Sequence, residues 1–181
     1  AALLRSGAQA GDDLYVSGTL GDARLALEAF RGTVALAGDA FERVRIAMEQ
    51  PQPRVALGLA LRGVATSAID VSDGLLGDLA HVLRRSQVGA EVEVDALPRS
   101  AVLRALPEPL QHTCTLAGGD DYELVFTAPP QRAPEVVAAA QAAGVPVTRI
   151  GRIKEGAGLC LIDCDGRPVA DTFSAFDHFK T

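Results

Sequence analysis

Between Val64 and Leu97 the chain changes its hydrophobic period twice, and this limits the fold more than any other feature. VATSAIDV (64–71) is a run of small and apolar residues that reads as a buried strand. From Ser72 to Gly89 the period becomes helical. Leu75, Leu79, Val82, Leu83 and Ser86 fall on one face, and Asp78, His81, Arg84 and Arg85 on the other. Gly89 stands where a left-handed helix stop is expected. AEVEVDAL (90–97) then alternates as a half-buried strand. A chain that runs from strand to amphipathic helix and back to strand has to layer helices on a sheet.

The remainder of the sequence agrees with that class. AALLRSGA reads as the last turn of a helix stopped at Gly7, and with no initiator Met the chain reads as a piece of a longer protein. GDDLYVSG (11–18) is a turn and a short strand with Leu14 and Val16 on one face. In TLGDARLALEAFRG, Leu20, Ala23, Leu27 and Phe30 recur at helical spacing up to Gly32. GDAFERVRIAMEQ (38–50) is a weaker helix, the prolines of PQPR (51–54) break the chain, and VALGLALRG (55–63) is a helix. Pro98 to Pro109 reads as one helix bounded by prolines. YELVF is a strand, PEVVAAAQAAG (134–144) a helix capped by Gly144, and VPVTRIGRI (145–153) a strand. GLCLIDCDGRPVA (158–170) predicts an antiparallel hairpin with Asp165-Gly166 as a type I′ turn. The predicted class is therefore α+β, a mixed α/β sheet layered with helices, in a single domain.

Composition narrows the function classes. With 48% apolar residues, 4% aromatics and no Trp, the core has to be built from Ala, Leu, Val and Ile. The net charge of −6 argues against a nucleic-acid surface. It leaves room for phosphate-bearing ligands, because a metal ion bridges acidic residues to phosphate. No apolar run approaches membrane-spanning length and no signal peptide is evident, so no membrane partner is expected and a cytoplasmic location is. Cys160 and Cys164, in CLIDC, lack zinc-ribbon spacing. His81 falls on the polar helix face, His112 in a loop and His178 in the tail, with no Ser/His/Asp or Cys/His pattern among them.

Three stretches carry candidate chemistry. In IDVSDGL (69–75), Ser72 or Asp73 would cap the following helix. A cap does not require Asp70, whose carboxylate at the end of a buried strand needs a partner, water or a metal. Two carboxylates and a hydroxyl on one turn suit Mg²⁺, and a helix start adds amides that favour phosphate. In GGDDYEL (118–124) two glycines permit a sharp turn, and the adjacent Asp120 and Asp121 repel each other unless a cation relieves them. GDDLYVSGTLGD (11–22) lacks both the Walker and the GxGxxG patterns and reads as a structural strand–turn–helix.

RSGAQAGDDLYVSGTLGDARLAL, PRVALGLALRGVATSAIDVSDGLLGDLAHVLRRSQVGA, LPRS, AGGDDYELVFT and FDHF occur in an order that resembles the thiamine-monophosphate kinases. These belong to the superfamily of aminoimidazole ribonucleotide synthetase. The resemblance implies that residues 1–181 form the C-terminal domain of a longer two-domain kinase. The N-terminal domain, absent from this chain, would dimerise through a shared β-barrel. The family passes the γ-phosphoryl of ATP directly to thiamine monophosphate, with Mg²⁺ ions screening the phosphates. By matching motif, Asp70 and Asp73 would be metal ligands, Arg5 and Ser72 would contact ATP, and Phe176 would pack on the substrate rings. Asp120 stands where the family usually has Glu, and would contact the thiamine part with a side chain one methylene shorter. The isolated chain is expected to be inactive. Two other readings stay open here: a sister enzyme with another acceptor, and a binding module without catalysis.

Overall fold

The computed structural model describes residues 2–170. Six strands, β1 (Asp13–Ser17), β2 (Ser67–Asp70), β3 (Gly89–Glu93), β4 (Leu124–Ala128), β5 (Val147–Lys154) and β6 (Gly158–Ile162), form one sheet in the order β2-β4-β1-β5-β3-β6. All neighbours are antiparallel except β3 and β6. The helices are α1 (Asp22–Phe30), α2 (Ala40–Glu49), α3 (Val55–Ala60), α4 (Leu75–Ser86), α5 (Ala101–Arg104), α6 (Glu108–Ala117) and α7 (Ala133–Ala143). This is the α+β architecture expected from the sequence.

β1 lies in mid-sheet, and all five of its residues are buried because both sheet faces are covered. On one face Leu14 and Val16 pack with Ile69, Val125 and Ile150 beneath Leu75, Leu79, Val82 and Leu83 of α4. On the other, Tyr15 and Phe126 are cross-strand partners with stacked rings 5.3 Å apart. They pack with Leu57 and Leu61 at α3 and with Val136 and Ala139 of α7. Each fully buried aliphatic side chain contributes about 1.5–3 kcal/mol, so a core with so few aromatics is sufficient. α1, α2, α5 and α6 form a side lobe around Leu25, Ala26, Val44, Leu103 and Cys114.

Several local expectations are corrected. Residues 2–6 are not helical; the Leu4 carbonyl accepts from the Ala68 amide, so this segment runs along β2. Leu20 and Ala23 are buried as expected, but Phe30 is 75% exposed and Leu25 and Ala26 are buried instead, because α1 packs sideways on the lobe. β2 and β3 are shorter than read, and Val94–Ala96 is a 3₁₀ turn. Gln87, not Gly89, takes the left-handed stop of α4. Gly89 begins β3, where a Cβ would stand 2.8 Å from the Gly158 carbonyl oxygen. The proline-bounded helix is two helices, because Pro107 cannot continue α5 and instead precedes α6. His112 therefore lies on α6 and not in a loop.

The predicted hairpin reduces to β6, which pairs in parallel with β3, and a single antiparallel bridge between Ile162 and Pro168. The turn is not type I′, since Asp165 has no positive φ. Gly166 (φ 76°) donates to the Asp163 carbonyl, so Cys164 and Asp165 occupy the centre of the turn and the left-handed glycine follows them. The three cysteines are free.

Candidate functional site

β2 and β4 are antiparallel neighbours, with Asp70 opposite Leu124. Beyond the ladder the two segments stay joined. The Val71 amide donates to the Glu123 carbonyl, Tyr122 to Val71, and Asp120 to Ser72. Two motifs nearly fifty residues apart thus become one surface. Close approach is what the paired glycines are for. A Cβ on Gly119 would stand 2.5 Å from the Ser72 carbonyl oxygen, and one on Gly118 would overlap the Cys114 carbonyl. Neither has a positive φ; the left-handed positions are Asp120 (φ 66°) and Tyr122 (φ 51°), which turn the loop back into β4. Aspartate tolerates this region better than most residues.

Neither Ser72 nor Asp73 caps α4. The residue ahead of the helix is Gly74, with φ 109°, and it contributes no side-chain bond. The two amides are taken by Asp78, which lies on the buried side of α4 rather than on its polar face: its Oδ2 accepts from Ser72 and from Asp73, each at 2.9 Å. Burial pushes the Asp78 carboxyl above its ordinary range, the two amides pull it down, and the charges of Asp73 and Asp70 push it up again. Ser72 and Asp73 line a cavity of about 310 Å³. Its lining also includes Gly119 and Asp120, Arg24 and Leu27 of α1, Arg31 just beyond that helix, and Met48 of α2.

A second cavity, of about 470 Å³, lies at the end of β2. It holds Asp70 and Arg5 together with Arg62, among apolar residues that include Leu4, Val55 and Leu59. The predicted residues therefore divide: Ser72, Asp73 and Asp120 share one cavity, Asp70 and Arg5 the other. Phe176 and His178 lie outside the described residues.

The donors fit a hard divalent cation. Asp70 and Asp73 both project charge onto Asp78, and no Arg or Lys among the described residues is ion-paired with any of the three. Like charges that act on one another favour a bound cation, and carboxylate and hydroxyl oxygens such as those of Asp70, Ser72 and Asp73 are the type of ligand that Mg²⁺ prefers. Another group, Asp95, Glu108 and His112, brings its ligand atoms within 4.8 Å of one another. Arg99 sits close enough to offset its charge, and none of the three lines either cavity.

Sequence reading missed the residues that hold the site in place. The amide of Gly21 donates to both oxygens of Asp121, at 3.1 and 2.9 Å, and the Ala23 amide also bonds this carboxylate. Burial of that carboxylate raises its pKa well above the ordinary value. Glu123 is buried, with an Arg54 ion pair at 2.7 and 2.5 Å and a 2.5 Å bond from the Ser17 hydroxyl. The signal available was the acid-rich run itself: DDYE has three carboxylates, and the structure turns two of them inward.

Comparison with known proteins gives the family. Residues 9–163 match the model described as AIR synthase related protein, C-terminal domain. A curated relative from Haemophilus influenzae, named thiamine-monophosphate kinase, is 43% identical over 98% of this chain and 56% of its own length. The chain thus spans about half the length of the curated relatives it matches. The crystal structure of a thiamine-monophosphate kinase from Stenotrophomonas maltophilia K279a is 44% identical with a TM-score of 0.84, over 92% of this chain and 54% of that one. A structure described as AaThiL complexed with AMPPCP and TMP is 31% identical with a TM-score of 0.78, over 98% and 54%. The resemblance read from the motifs stands, and the chain belongs to the family of AIR synthase related proteins, as its C-terminal domain.

Proposed function

We propose that the protein carrying this chain transfers the γ-phosphoryl group of ATP to thiamine monophosphate, giving thiamine diphosphate. The observation that carries this reading is the turn at Asp70–Asp73, which sets carboxylates beside two cavities, each also lined by arginine. The relatives' names and the AMPPCP and TMP complex support the choice of substrates. Phosphoryl transfer needs positioning and charge screening more than covalent help from the protein.

In this reading Asp70 and Asp73 hold Mg²⁺, which when bound would screen the phosphates. Arg5 and Ser72 contact ATP. Asp120 faces the cationic thiamine part, with water filling the space left by its shorter side chain. Phe176 packs on the rings of the substrate. The chain acts as the C-terminal domain of a two-domain homodimer joined through its other domain, and the 181 residues alone show little or no turnover. An ATP-consuming enzyme with free cysteines suits the cytoplasm.

The test supplies the full-length protein with ATP, Mg²⁺ and thiamine monophosphate and follows thiamine diphosphate by fluorescence after oxidation. Product that disappears with Asp70→Asn is expected. No product from folded, ATP-binding protein would point to another acceptor. Asp120→Ala should mainly raise the KM for thiamine monophosphate, and an effect confined to ATP would reject that role.

A further inference from the structure

We infer that Asp78 is a positioning residue for the cation site: it fixes the Ser72–Asp73 backbone so that Asp73 presents its carboxylate to the cavity, and it does not touch the ion itself. The inference rests on the reading that Asp70 and Asp73 hold Mg²⁺.

Four observations carry it. Asp78 is 3% exposed, in the first turn of α4 and packed against the sheet, so its carboxylate has little freedom. One oxygen accepts both turn amides at 2.9 Å, which pins two successive peptide planes. Gly74, between the turn and the helix, supplies no cap, so the anchor has to come from elsewhere. Finally, a Ser72 or Asp73 that served as cap would point its side chain at the first-turn amides of α4. Neither does so, and both residues line the cavity. The Asp78 bonds run backwards from inside the helix to the amides of the two residues ahead of Gly74, and those two residues line the cavity. Groups that orient metal ligands commonly govern affinity by about 10–100-fold without contacting the metal.

The test measures Mn²⁺ binding by electron paramagnetic resonance in the full-length protein, with thermal unfolding alongside. Asp78→Ala is expected to weaken Mn²⁺ binding about 10–100-fold. Asp78→Asn, which keeps a carbonyl acceptor for the two amides, should recover most of that loss. Asp78→Glu, which moves the acceptor by one methylene, serves if the alanine variant does not fold, and should bind Mn²⁺ more weakly than the wild type. Unchanged affinity in a folded Ala or Glu variant, or an Asn variant no better than Ala, would overturn the inference. Asp73→Asn separates the two levels. If it leaves Mn²⁺ binding intact, the metal reading falls and this inference with it. If Asp73→Asn loses Mn²⁺ and Asp78→Ala does not, this inference alone falls.

Discussion

The molecule makes the same kind of junction twice, from β1 into α1 and from β2 into α4, and the two are held differently. Each helix starts just after a glycine of positive φ, Gly21 at 93° and Gly74 at 109°, with no side-chain bond from that position. In each, a carboxylate elsewhere accepts from amides at the junction. For α4 it is Asp78, five and six positions along. For α1 it is Asp121, one hundred positions away on the loop into β4. The first device is local and travels with its segment; the second exists only once the sheet has formed. The difference separates presentation from support. The local clamp leaves its turn's residues lining a cavity, whereas the remote clamp ties the wall of that cavity, α1, to the loop opposite.

Variants can break or sharpen this contrast. The largest loss should come from Arg54→Ala, which strands the buried Glu123 carboxylate beneath the β1–α1 turn. Breaking such a pair costs about 3–5 kcal/mol, read by urea unfolding. A loss under about 1 kcal/mol would show that water replaces the arginine. Next is Asp121→Ala, which leaves the amides of Gly21 and Ala23 without their acceptor. At about 1–3 kcal/mol for an unsatisfied buried group, unfolding should show a loss of about 2–4 kcal/mol.

Asp121→Asn keeps an acceptor and tests the charge. Because burial raises the pKa of Asp121 well above 3.8, the folded chain holds a proton that the unfolded chain has released. Wild-type stability therefore falls as pH rises from about 4 towards the folded value. The Asn variant lacks that contribution, and should gain on the wild type over this window; parallel profiles would refute the assignment. Smaller still is Ser100→Ala. It removes the hydroxyl that caps α5 through Leu103 and donates to Asp22 at 2.6 Å, for about 1 kcal/mol in melting experiments. The smallest is a gain: Gln87→Gly relieves a left-handed non-glycine residue at the end of α4, adding up to about 1 kcal/mol. A measured loss there would mean that the Gln87 side chain makes contacts outweighing its strain.

Where charge gathers was legible. Asp70 stood out because a helix cap at Ser72 or Asp73 does not require it, and Asp120 because it adjoins a second aspartate in a glycine turn. Their division between two cavities was not legible, because it depends on which distant segments pack around each residue. Asp78 was misread for a related reason. Helical period assigns a polar residue to the polar face, and only a buried pair of unsatisfied amides makes the inward position favourable.

Among the elements, the long helices α4 and α7 and the strands β1, β4 and β5 follow from period and punctuation alone, since alternation and helical spacing are local properties. Strand order, the parallel pairing of β3 with β6, and the split at Pro107 needed the folded chain. By itself the sequence determined the class of fold, the family, and the two stretches in which carboxylates gather. Tertiary structure alone decided which of those charges turn inward as clamps and which stay exposed. Solvation is the physical reason. A carboxylate is worth burying only where amides or a guanidinium from another part of the chain replace its water, and those partners are neighbours only after folding.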